Sequence, residues 1–285
     1  MEKFSDIQRA EVLTQALPYI QKYYNKIVVV KYGGNAMIND ELKKAVMGDI
    51  VLLSLIGIKV VLVHGGGPEI TEMLNKIGKK SEFVDGLRVT DKETAEIVQM
   101  VLAGKISKSL VALIDSMGGK AIGISGMDDH LIEAKPVSEE LGYVGDITKI
   151  NTEPILDLLD KGYIPVVSTV GTDSEGNVYN INADTAASRI AGSLKAQSFI
   201  LMTDTLGIMK DPKDEDTLMS EIRVSQVPKL INMDVISGGM IPKAECCVEA
   251  IRLGVGRVFI IDGRKPHSLL IEILTDSGVG TMFRF

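Results

Sequence analysis

The fold of this 285-residue chain is predicted from the stretch Ile27-Val28-Val29-Val30-Lys31-Tyr32-Gly33-Gly34-Asn35. Three β-branched residues in a row after Ile27 favour a strand that is buried on both faces, which is typical of parallel sheets. A lysine closes this strand and two glycines follow it, so a cation and open backbone lie where a buried strand ends. Ligands bind at that edge of open parallel α/β sheets.

Strand and helix patterns alternate along the rest of the chain. Apolar runs predict further strands at 58–63, 121–125, 131–135, 164–168, 198–202, 257–261 and 281–285, with 121–125 and 131–135 on either side of a turn at Asp128-Asp129. Asn39, Thr152 and Asn182 are predicted N-caps. The helical patterns span about 40–56, 68–78, 91–117, 152–162, 183–194, 238–252 and 268–275. This alternation predicts an α/β fold in which helices cover both faces of a largely parallel sheet.

Residues 5–25 form a separate element ahead of the first core strand. Ser5 and Gln8 match a capping box and an apolar stripe recurs near helical spacing, which predicts an N-terminal extension helix with a kink at Pro18. The stripe either folds back on its own domain or contacts a partner, and the pattern leaves both open.

Composition narrows the class of protein. The chain is 45% apolar and 24% charged, as in globular proteins, and its net charge of -7 and pI near 5.2 argue against broad contact with nucleic acid or anionic membrane. Cys246 and Cys247 are adjacent, which is poor geometry for a mutual disulfide and indicates a reducing compartment. No signal peptide is recognised at the N-terminus, and the apolar stretch 50–63 is too short to span a bilayer. We therefore expect a cytoplasmic protein.

Three glycine clusters stand at predicted helix starts: Gly33-Gly34, Gly65-Gly66-Gly67 and Gly238-Gly239. Backbone N–H groups at helix N-termini bind anions, and glycines let several of them point at one oxygen, so three such clusters favour an anion site over simple tight turns. The patterns G-x-G-x-x-G and G-x-x-x-x-G-K-[ST] are absent, which weakens the two commonest nucleotide-binding interpretations. The three histidines lack metal-ligand spacing, and no hydrolase elbow G-x-S-x-G occurs.

Two lysines and one acid are the candidate chemical groups. Lys31 ends a buried strand, and Lys243 lies in the first turn of a helix whose positive end repels it. Positive charge at these places suits the negative charge that accumulates on transferring phosphoryl oxygens. Asp184, in the first turn of its own helix, could orient both lysines by salt bridges; stabilisation of the helix dipole is the alternative role.

Six motifs occur in a characteristic order, namely Lys31-Tyr32-Gly33-Gly34, His64-Gly65-Gly66-Gly67-Pro68, Gly86-Leu87-Arg88-Val89-Thr90, Asn180-Ile181-Asn182-Ala183-Asp184, Thr203-Asp204 and Gly238-Gly239-Met240-Ile241-Pro242-Lys243. The ordered set resembles the amino acid kinase family, and within it the members that phosphorylate N-acetyl-L-glutamate in arginine biosynthesis. The resemblance extends from Ile27 to Phe285.

The resemblance implies a three-layer α/β/α sandwich with an acceptor lobe at 27–175 and an ATP lobe at 176–285. It implies transfer of the γ-phosphoryl group of ATP to the side-chain carboxylate of N-acetyl-L-glutamate, with Lys31 and Lys243 stabilising the transition state and Asp184 organising them. Mg²⁺ would arrive with ATP, with few or no direct protein ligands. The matched positions assign acceptor binding to Gly66, Gly67, Arg88, Asn180 and Asn182, and ATP binding to Gly33, Gly34, Thr203, Asp204, Gly207, Gly238 and Gly239.

The N-terminal extension resembles that of the arginine-inhibited branch, in which residues 1–26 would form an oligomerisation helix and the protein a hexamer built as a trimer of dimers. An arginine effector would then contact Tyr19, His267, Glu272 and Gly278; for His267 and Glu272 a plain surface position is the alternative. Whether a signalling protein docks on the oligomer stays open.

Two other functions remain as alternatives. One is another amino acid kinase, acting on glutamate, aspartate, carbamate or UMP. The other is a non-catalytic arginine-sensing scaffold, against which the retained Lys31, Asp184 and Lys243 argue.

Overall fold

The computed structural model describes residues 5–37 and 39–285, and its main feature is one eight-stranded sheet. Neighbouring strands pair in parallel except β13 with β14, which pair antiparallel. In their order across the sheet, the strands are β12 (Glu221–Arg223), β14 (Thr281–Arg284), β13 (Arg257–Asp262), β11 (Ser198–Thr203), β1 (Ile27–Tyr32), β2 (Lys59–His64), β8 (Ile164–Ser168) and β5 (Ala121–Ser125). The predicted α/β class is confirmed.

Smaller β-structures flank this sheet. A four-stranded sheet has the order β10 (Val178–Asn180), β9 (Val170–Thr172), β6 (Ile132–Pro136) and β7 (Gly145–Ile150), and β3 (Phe83–Val84) pairs with β4 (Leu87–Arg88) as a hairpin. Asp85 and Gly86, in the turn between β3 and β4, have φ values of 50° and 79°, as in a tight hairpin turn.

The predicted strands at 121–125 and 131–135 are present as β5 and β6 on either side of the turn at Asp128-Asp129, and they belong to different sheets. Asp129 and His130 both have positive φ, 48° and 50°, and these left-handed residues redirect the chain. Asp128 Oδ2 accepts hydrogen bonds from the backbone N–H and the hydroxyl of Ser125, which closes the turn.

The helices form the outer layers. They are α1 (Asp6–Gln15), α2 (Leu17–Tyr23), α3 (Asp40–Leu55), α4 (Gly67–Lys76), α5 (Lys92–Gln99), α6 (Ser107–Ser116), α7 (Glu153–Asp160), α8 (Ala183–Ser193), α9 (Val227–Asn232), α10 (Met240–Arg252) and α11 (Ser268–Leu274). Asn39 and Asn182 cap α3 and α8 as predicted. Thr152 makes no capping bond; Asn151 Oδ1 accepts from the backbone N–H of Glu153 instead.

A π-helical segment, Met100–Ile106, joins α5 and α6 into one run, Lys92–Ser116. By length and composition alone this run could cross a membrane, and it is the one such helix among the described residues. It packs on β5, β8 and α3, as a core helix of the sandwich does.

Residues of β1 alternate between two apolar cores, one on each face of the sheet. Val28, Val30 and Tyr32 join the core beneath α3, α6 and α11, whereas Val29 joins the core beneath α7, α8 and α10. Because side chains alternate along a strand, Lys31 lies on the same face as Val29 and therefore on the side of α8.

The N-terminal extension is two helices that break ahead of Pro18 rather than one kinked helix. Ser5 and Gln8 form the predicted capping box, and α1 buries none of its residues. In α2, by contrast, Tyr23 is buried in the core and its hydroxyl lies 3.3 Å from Ser198 Oγ. Residues 1–4 of the predicted segment 1–26 lie outside the described residues.

The lobe boundary at 175/176 stays a prediction. Both proposed lobes share the large sheet, since β1 pairs with β2 on one side and with β11 on the other.

Candidate active site

The topology brings three chain segments to one edge of the large sheet. Helices α8 and α10 precede β11 and β13, which run parallel to β1, so both helices begin at the edge where β1 ends. The two helices also pack side by side. Lys31 near the end of β1, Asp184 in the first turn of α8 and Lys243 in the first turn of α10 therefore meet.

Asp184 lies between the two lysines. Lys31 Nζ is 2.9 Å from Oδ1 of Asp184, and Lys243 Nζ donates a hydrogen bond of 2.5 Å to Oδ2. Burial alone would raise the pKa of Asp184, but the two ammonium charges outweigh it and hold the pKa below its usual value. The arrangement has two cations and one anion, so one positive charge is left uncompensated within it.

Gly33 has a steric reason to be glycine. A Cβ added there would lie 2.9 Å from Lys31 Nζ and 3.2 Å from its Cε, so the lysine side chain folds closely over this backbone. Gly34 has a φ of 70°, in the left-handed region that favours glycine. Gly33 thus leaves room for the path of Lys31 toward Asp184.

A cavity of about 270 Å³ opens beside Lys31. Its lining gathers residues that the sequence assigned separately to the acceptor and to ATP, together with apolar side chains of Phe83, Leu87 and Leu102. The sequence-assigned residues that line it are Gly33, Gly34, Gly66, Gly67, Arg88, Asn180 and Asn182.

Arg88 is a second cation in the lining of this cavity, in addition to Lys31. The residue is 7% exposed, and burial lowers the pKa of its guanidinium, which nevertheless stays charged at neutral pH. Within the described chain no carboxylate lies within 4 Å of the group, so its charge is available to an anionic ligand.

Asn180 and Asn182, which both line the cavity, make different hydrogen bonds. Asn182 Oδ1 accepts from the backbone N–H groups of Asp184 and Thr185, so this side chain caps α8 and fixes the turn that carries Asp184. Asn180 Nδ2 donates to Thr90 Oγ1 at 3.3 Å and thereby ties β10 to the segment after β4.

The remaining residues that the sequence assigned to ATP lie outside that lining. Thr203 ends β11, and its hydroxyl bonds to Asp204 Oδ1 at 3.2 Å. Gly238 and Gly239 precede α10, which carries Lys243. Gly207 contacts the terminal strand, since a Cβ there would lie 2.5 Å from Thr281 Oγ1. They occupy the β11 and α10 side of the edge.

Three of the four sequence-assigned effector residues meet at a second cavity of about 280 Å³. Tyr19, Glu272 and Gly278 line it together with Lys22 and Asp276. His267 does not line it: its Nδ1 is 2.6 Å from Asp49 Oδ1, between α11 and α3. Burial raises the pKa of Glu272, and Oε2 accepts from the backbone N–H of Val279 at 2.9 Å.

Residues that the sequence did not single out hold the site in place. Thr71 and Ser81 bond to Arg88, and the Phe83 ring lies against it. Thr71 is one helical turn after Gly67, so the i, i+4 spacing on α4 was a usable signal. Ser81 lies in irregular chain, for which periodicity gives no signal.

No group of three or more His, Cys, Asp and Glu side chains suitable for a metal ion occurs in the part of the chain that the structure describes. Asp184, the carboxylate at the centre of the site, is paired with both lysines. The donor set therefore does not fit a protein-held metal.

Comparisons with known proteins agree with this geometry. The Amino acid kinase family matches residues 26–262. A protein named acetylglutamate kinase from Brachyspira hyodysenteriae is 56% identical over 285 residues, covering 99% of this chain and 99% of that protein. A Clostridium beijerinckii protein of the same name is 56% identical over 278 residues, covering 96% of this chain and 98% of that protein.

Among solved structures, N-acetylglutamate synthase from Neisseria gonorrhoeae, complexed with coenzyme A and N-acetyl-glutamate, has a TM-score of 0.86 at 25% identity. The match covers 97% of this chain and 63% of that one. The extent of the family match and the full-length identity to the two kinases establish that this chain belongs to the amino acid kinase family.

Proposed function

We propose that this protein transfers the γ-phosphoryl group of ATP to the side-chain carboxylate of N-acetyl-L-glutamate, a step of arginine biosynthesis. The observation that carries the proposal is the pair of lysines on one carboxylate whose side chain is 15% exposed, beside a cavity whose arginine has no acidic partner among the described residues. The full-length similarity to proteins named acetylglutamate kinase supports this choice of acceptor.

The acceptor chemistry needs charge stabilisation rather than a base. A carboxylate is already an anionic nucleophile at neutral pH. One of its oxygens bonds to the γ-phosphorus, the bond from that phosphorus to the β–γ bridging oxygen breaks, and ADP leaves with the electron pair. Lys31 and Lys243 reduce the repulsion between the two anions and stabilise the charge on the transferring group. Asp184 keeps both ammonium groups at one place.

Acceptor binding is assigned to the cavity beside Lys31. Arg88 offers N–H donors to the second carboxylate of N-acetyl-L-glutamate. Gly66 and Gly67 stand at the start of α4, where backbone N–H groups point outward. Asn180 and Asn182 complete the polar lining.

The nucleotide is assigned to the edge shared by β11 and α10. Gly33 and Gly34 lie at the boundary of the two binding regions and suit the phosphates, and Thr203, Asp204, Gly207, Gly238 and Gly239 suit the rest of ATP. Mg²⁺ bound by the nucleotide would neutralise phosphate charge. The described residues offer no cluster of side chains that would hold a metal ion, so the protein's own contribution to neutralising phosphate charge comes from Lys31 and Lys243.

A coupled ADP-release assay with ATP and N-acetyl-L-glutamate tests the proposal. We expect turnover with this acceptor and at least about tenfold lower kcat/KM with glutamate, because loss of the acyl group leaves buried polar partners unpaired. Turnover with glutamate, aspartate, carbamate or UMP, but not with N-acetyl-L-glutamate, would identify a different amino acid kinase. No turnover with any of them would favour a non-catalytic scaffold.

A regulatory function is favoured by the second cavity. The carboxylates of Glu272 and Asp276, with the ring of Tyr19, form a site of suitable chemistry for the guanidinium of arginine. On α1, Ile7 and Leu13 are 73% and 75% exposed, so this helix offers apolar side chains to a neighbouring copy. We include feedback inhibition by arginine and a hexamer, built as a trimer of dimers through this helix, in the proposal.

The matching experiment removes residues 1–15, which keeps the buried Tyr23. We expect a smaller oligomer by light scattering and loss of arginine inhibition, with kcat retained. Glu272→Gln in the full chain is the companion variant and should weaken arginine inhibition without changing the oligomer. Undiminished inhibition in both proteins would contradict the regulatory assignment.

We also propose a cytoplasmic location. Cys246 and Cys247 are both free and buried, as expected for a reducing compartment.

A further inference from the structure

Three neutral side chains surround the guanidinium of Arg88. Its Nη2 donates to Thr71 Oγ1 at 2.8 Å and to the carbonyl oxygen of Gly67 at 3.0 Å. Its Nη1 donates to Ser81 Oγ, and the Phe83 ring centroid is 4.7 Å from Cζ. Arg88 is thus held by contacts to α4, to the segment after it and to β3.

The direction of the Thr71 contact is fixed by its second bond. The Thr71 hydroxyl donates to the Gly67 carbonyl oxygen at 3.0 Å, and that oxygen can only accept. The hydroxyl proton is therefore committed, and its oxygen is left to accept from Arg88. Thr71 links the N-terminus of α4 to the arginine through a single orientation.

Because its hydrogen-bond partners are neutral, the guanidinium of Arg88 keeps its charge. A carboxylate beside Arg88 would orient it but would also cancel its charge, whereas hydroxyl and carbonyl oxygens orient it and leave the charge in place. These three bonds use at most three of the five guanidinium N–H groups. At least two donors remain for a ligand in the cavity.

We propose that Thr71 and Ser81 are positioning residues that set the Arg88 guanidinium for the carboxylate of the acceptor that is not phosphorylated. The inference rests on the proposed function, because it assigns the role of Arg88 in that reaction. The inference also explains selectivity between acceptors. Because the two hydroxyls fix Arg88 before the ligand arrives, the cavity favours acceptors that have a second carboxylate.

The test uses Thr71→Val, which keeps the shape and removes the hydroxyl, and Thr71→Ser, which keeps the hydroxyl. We expect Thr71→Val to raise the KM for N-acetyl-L-glutamate about tenfold, the effect of losing one hydrogen bond to a charged group. The KM for ATP should stay within about twofold of wild type, since the contact is made in the acceptor cavity. Thr71→Ser should restore most of the acceptor affinity.

A second readout separates positioning from a general structural role. The substrate analogue whose α-carboxylate is replaced by a carboxamide, N-acetyl-isoglutamine, cannot use the charge of Arg88. Wild type should prefer the carboxylate over this amide, and the preference should shrink about tenfold in Thr71→Val. Equal losses for both acceptors, or a parallel rise in the KM for ATP, would overturn the inference.

Ser81→Ala keeps the test decisive if Thr71→Val does not fold. It should also raise the KM for the acceptor and leave that for ATP unchanged. Ser116→Ala is the matched control, since the Ser116 hydroxyl donates to a backbone carbonyl at the end of α6, away from the cavity. If wild type fails to phosphorylate N-acetyl-L-glutamate, the proposed function is wrong; if wild type does so and these variants match it, this inference alone is wrong.

Discussion

At the scale of single residues, the site depends on one largely buried carboxylate, that of Asp184, which two ammonium groups share. Removing a charge from water is costly, and loss of either lysine would leave Asp184 with less compensation. Because the pKa of Asp184 is lowered in the folded protein, the ion pairs contribute stability above the unfolded-state pKa. That contribution is lost as the pH falls through the lowered pKa.

Lys243→Ala tests the electrostatic role of this group. Removing one preorganised charge from a transferring phosphoryl group should lower kcat by at least about a hundredfold. The circular dichroism spectrum should keep its native shape, because Lys31 remains as an ion-pair partner of Asp184. Lys161→Ala, at an exposed position after α7, is the control. A kcat within a few-fold of wild type would remove Lys243 from the mechanism.

Gly33→Ala tests the steric role of the glycine beside Lys31. The added Cβ would lie 2.9 Å from Lys31 Nζ, so the ammonium must shift, and we expect kcat to fall by about tenfold or more. Gly48→Ala, inside α3, is the matched control because its Cβ would meet only Met117 Sδ at 4.0 Å. That control should keep its activity and gain stability of up to about 1 kcal/mol. Equal kcat values for the two variants would show that Lys31 tolerates displacement.

The residues at this scale were predictable to different degrees. Lys31, Asp184 and Lys243 stand out in the sequence because each is charged at a strand end or helix start. Ser81 carries no such mark, and its contact with Arg88 exists only because the β3–β4 hairpin folds over α4. His267 was grouped with Glu272 through the resemblance to the arginine-inhibited branch, yet it lies against Asp49 on α3.

At the scale of elements, the contact between α3 and α11 contains a buried acid. Asp49 is 1% exposed, and burial raises its pKa to about 6 although the hydrogen bond with His267 lowers it. Its Oδ2 has no hydrogen-bond partner within the described part of the chain, so no hydrogen bond at this oxygen stabilises the ionised form. This contact adjoins the helix that carries Glu272 of the second cavity.

Asp49→Asn tests whether the contact between Asp49 and His267 makes the free energy of unfolding depend on pH. A carboxyl whose folded-state pKa is above its unfolded value of 3.8 contributes stability below that value, and the contribution is lost as the pH rises through about 6. Between pH 5 and 8, wild type should therefore lose about 1 kcal/mol of unfolding free energy relative to Asp49→Asn, measured by urea denaturation. A difference that is independent of pH would mean that Asp49 is ionised throughout.

Most long elements were predicted and most short ones were not; the six-residue strand β7 is a long element that the sequence patterns missed. Strands such as β1 and β11 each contain a run of four apolar residues, which is typical of strands buried on both faces. The two-residue strands β3 and β4 and the three-residue strands β9 and β10 are too short for a periodic signal. The π segment Met100–Ile106 keeps an apolar helical pattern, so the sequence showed one uniform helix there.

At the scale of the whole molecule, strand order explains why the site lies where it does. The chain passes from β1 to β2 on one side, whereas β11 comes from the second half of the chain and pairs on the other. Such a point, where strand order diverges, leaves a crevice at the carboxyl edge of a parallel sheet. The sequence predicted the parallel sheet, but not this order, which depends on long-range pairing.

The charge of the molecule contrasts with that of the site. The chain carries a net charge of -7, yet Lys31 and Lys243 share the single carboxylate of Asp184, and Arg88 lines the cavity beside Lys31. Anionic ligands are therefore attracted by local rather than overall charge. The central claim is that this local charge brings an anionic acceptor and the phosphates of ATP together.

A crystal structure with ADP, N-acetyl-L-glutamate and a planar metal-fluoride analogue of the phosphoryl group is the most direct measurement. We expect Lys31 Nζ and Lys243 Nζ both to lie about 3 Å from fluorine or oxygen atoms of the analogue. Asp184 should still contact both lysines. If both ammonium groups point away from the analogue, or if only one of them reaches it, Lys31 and Lys243 do not act together on the phosphoryl group.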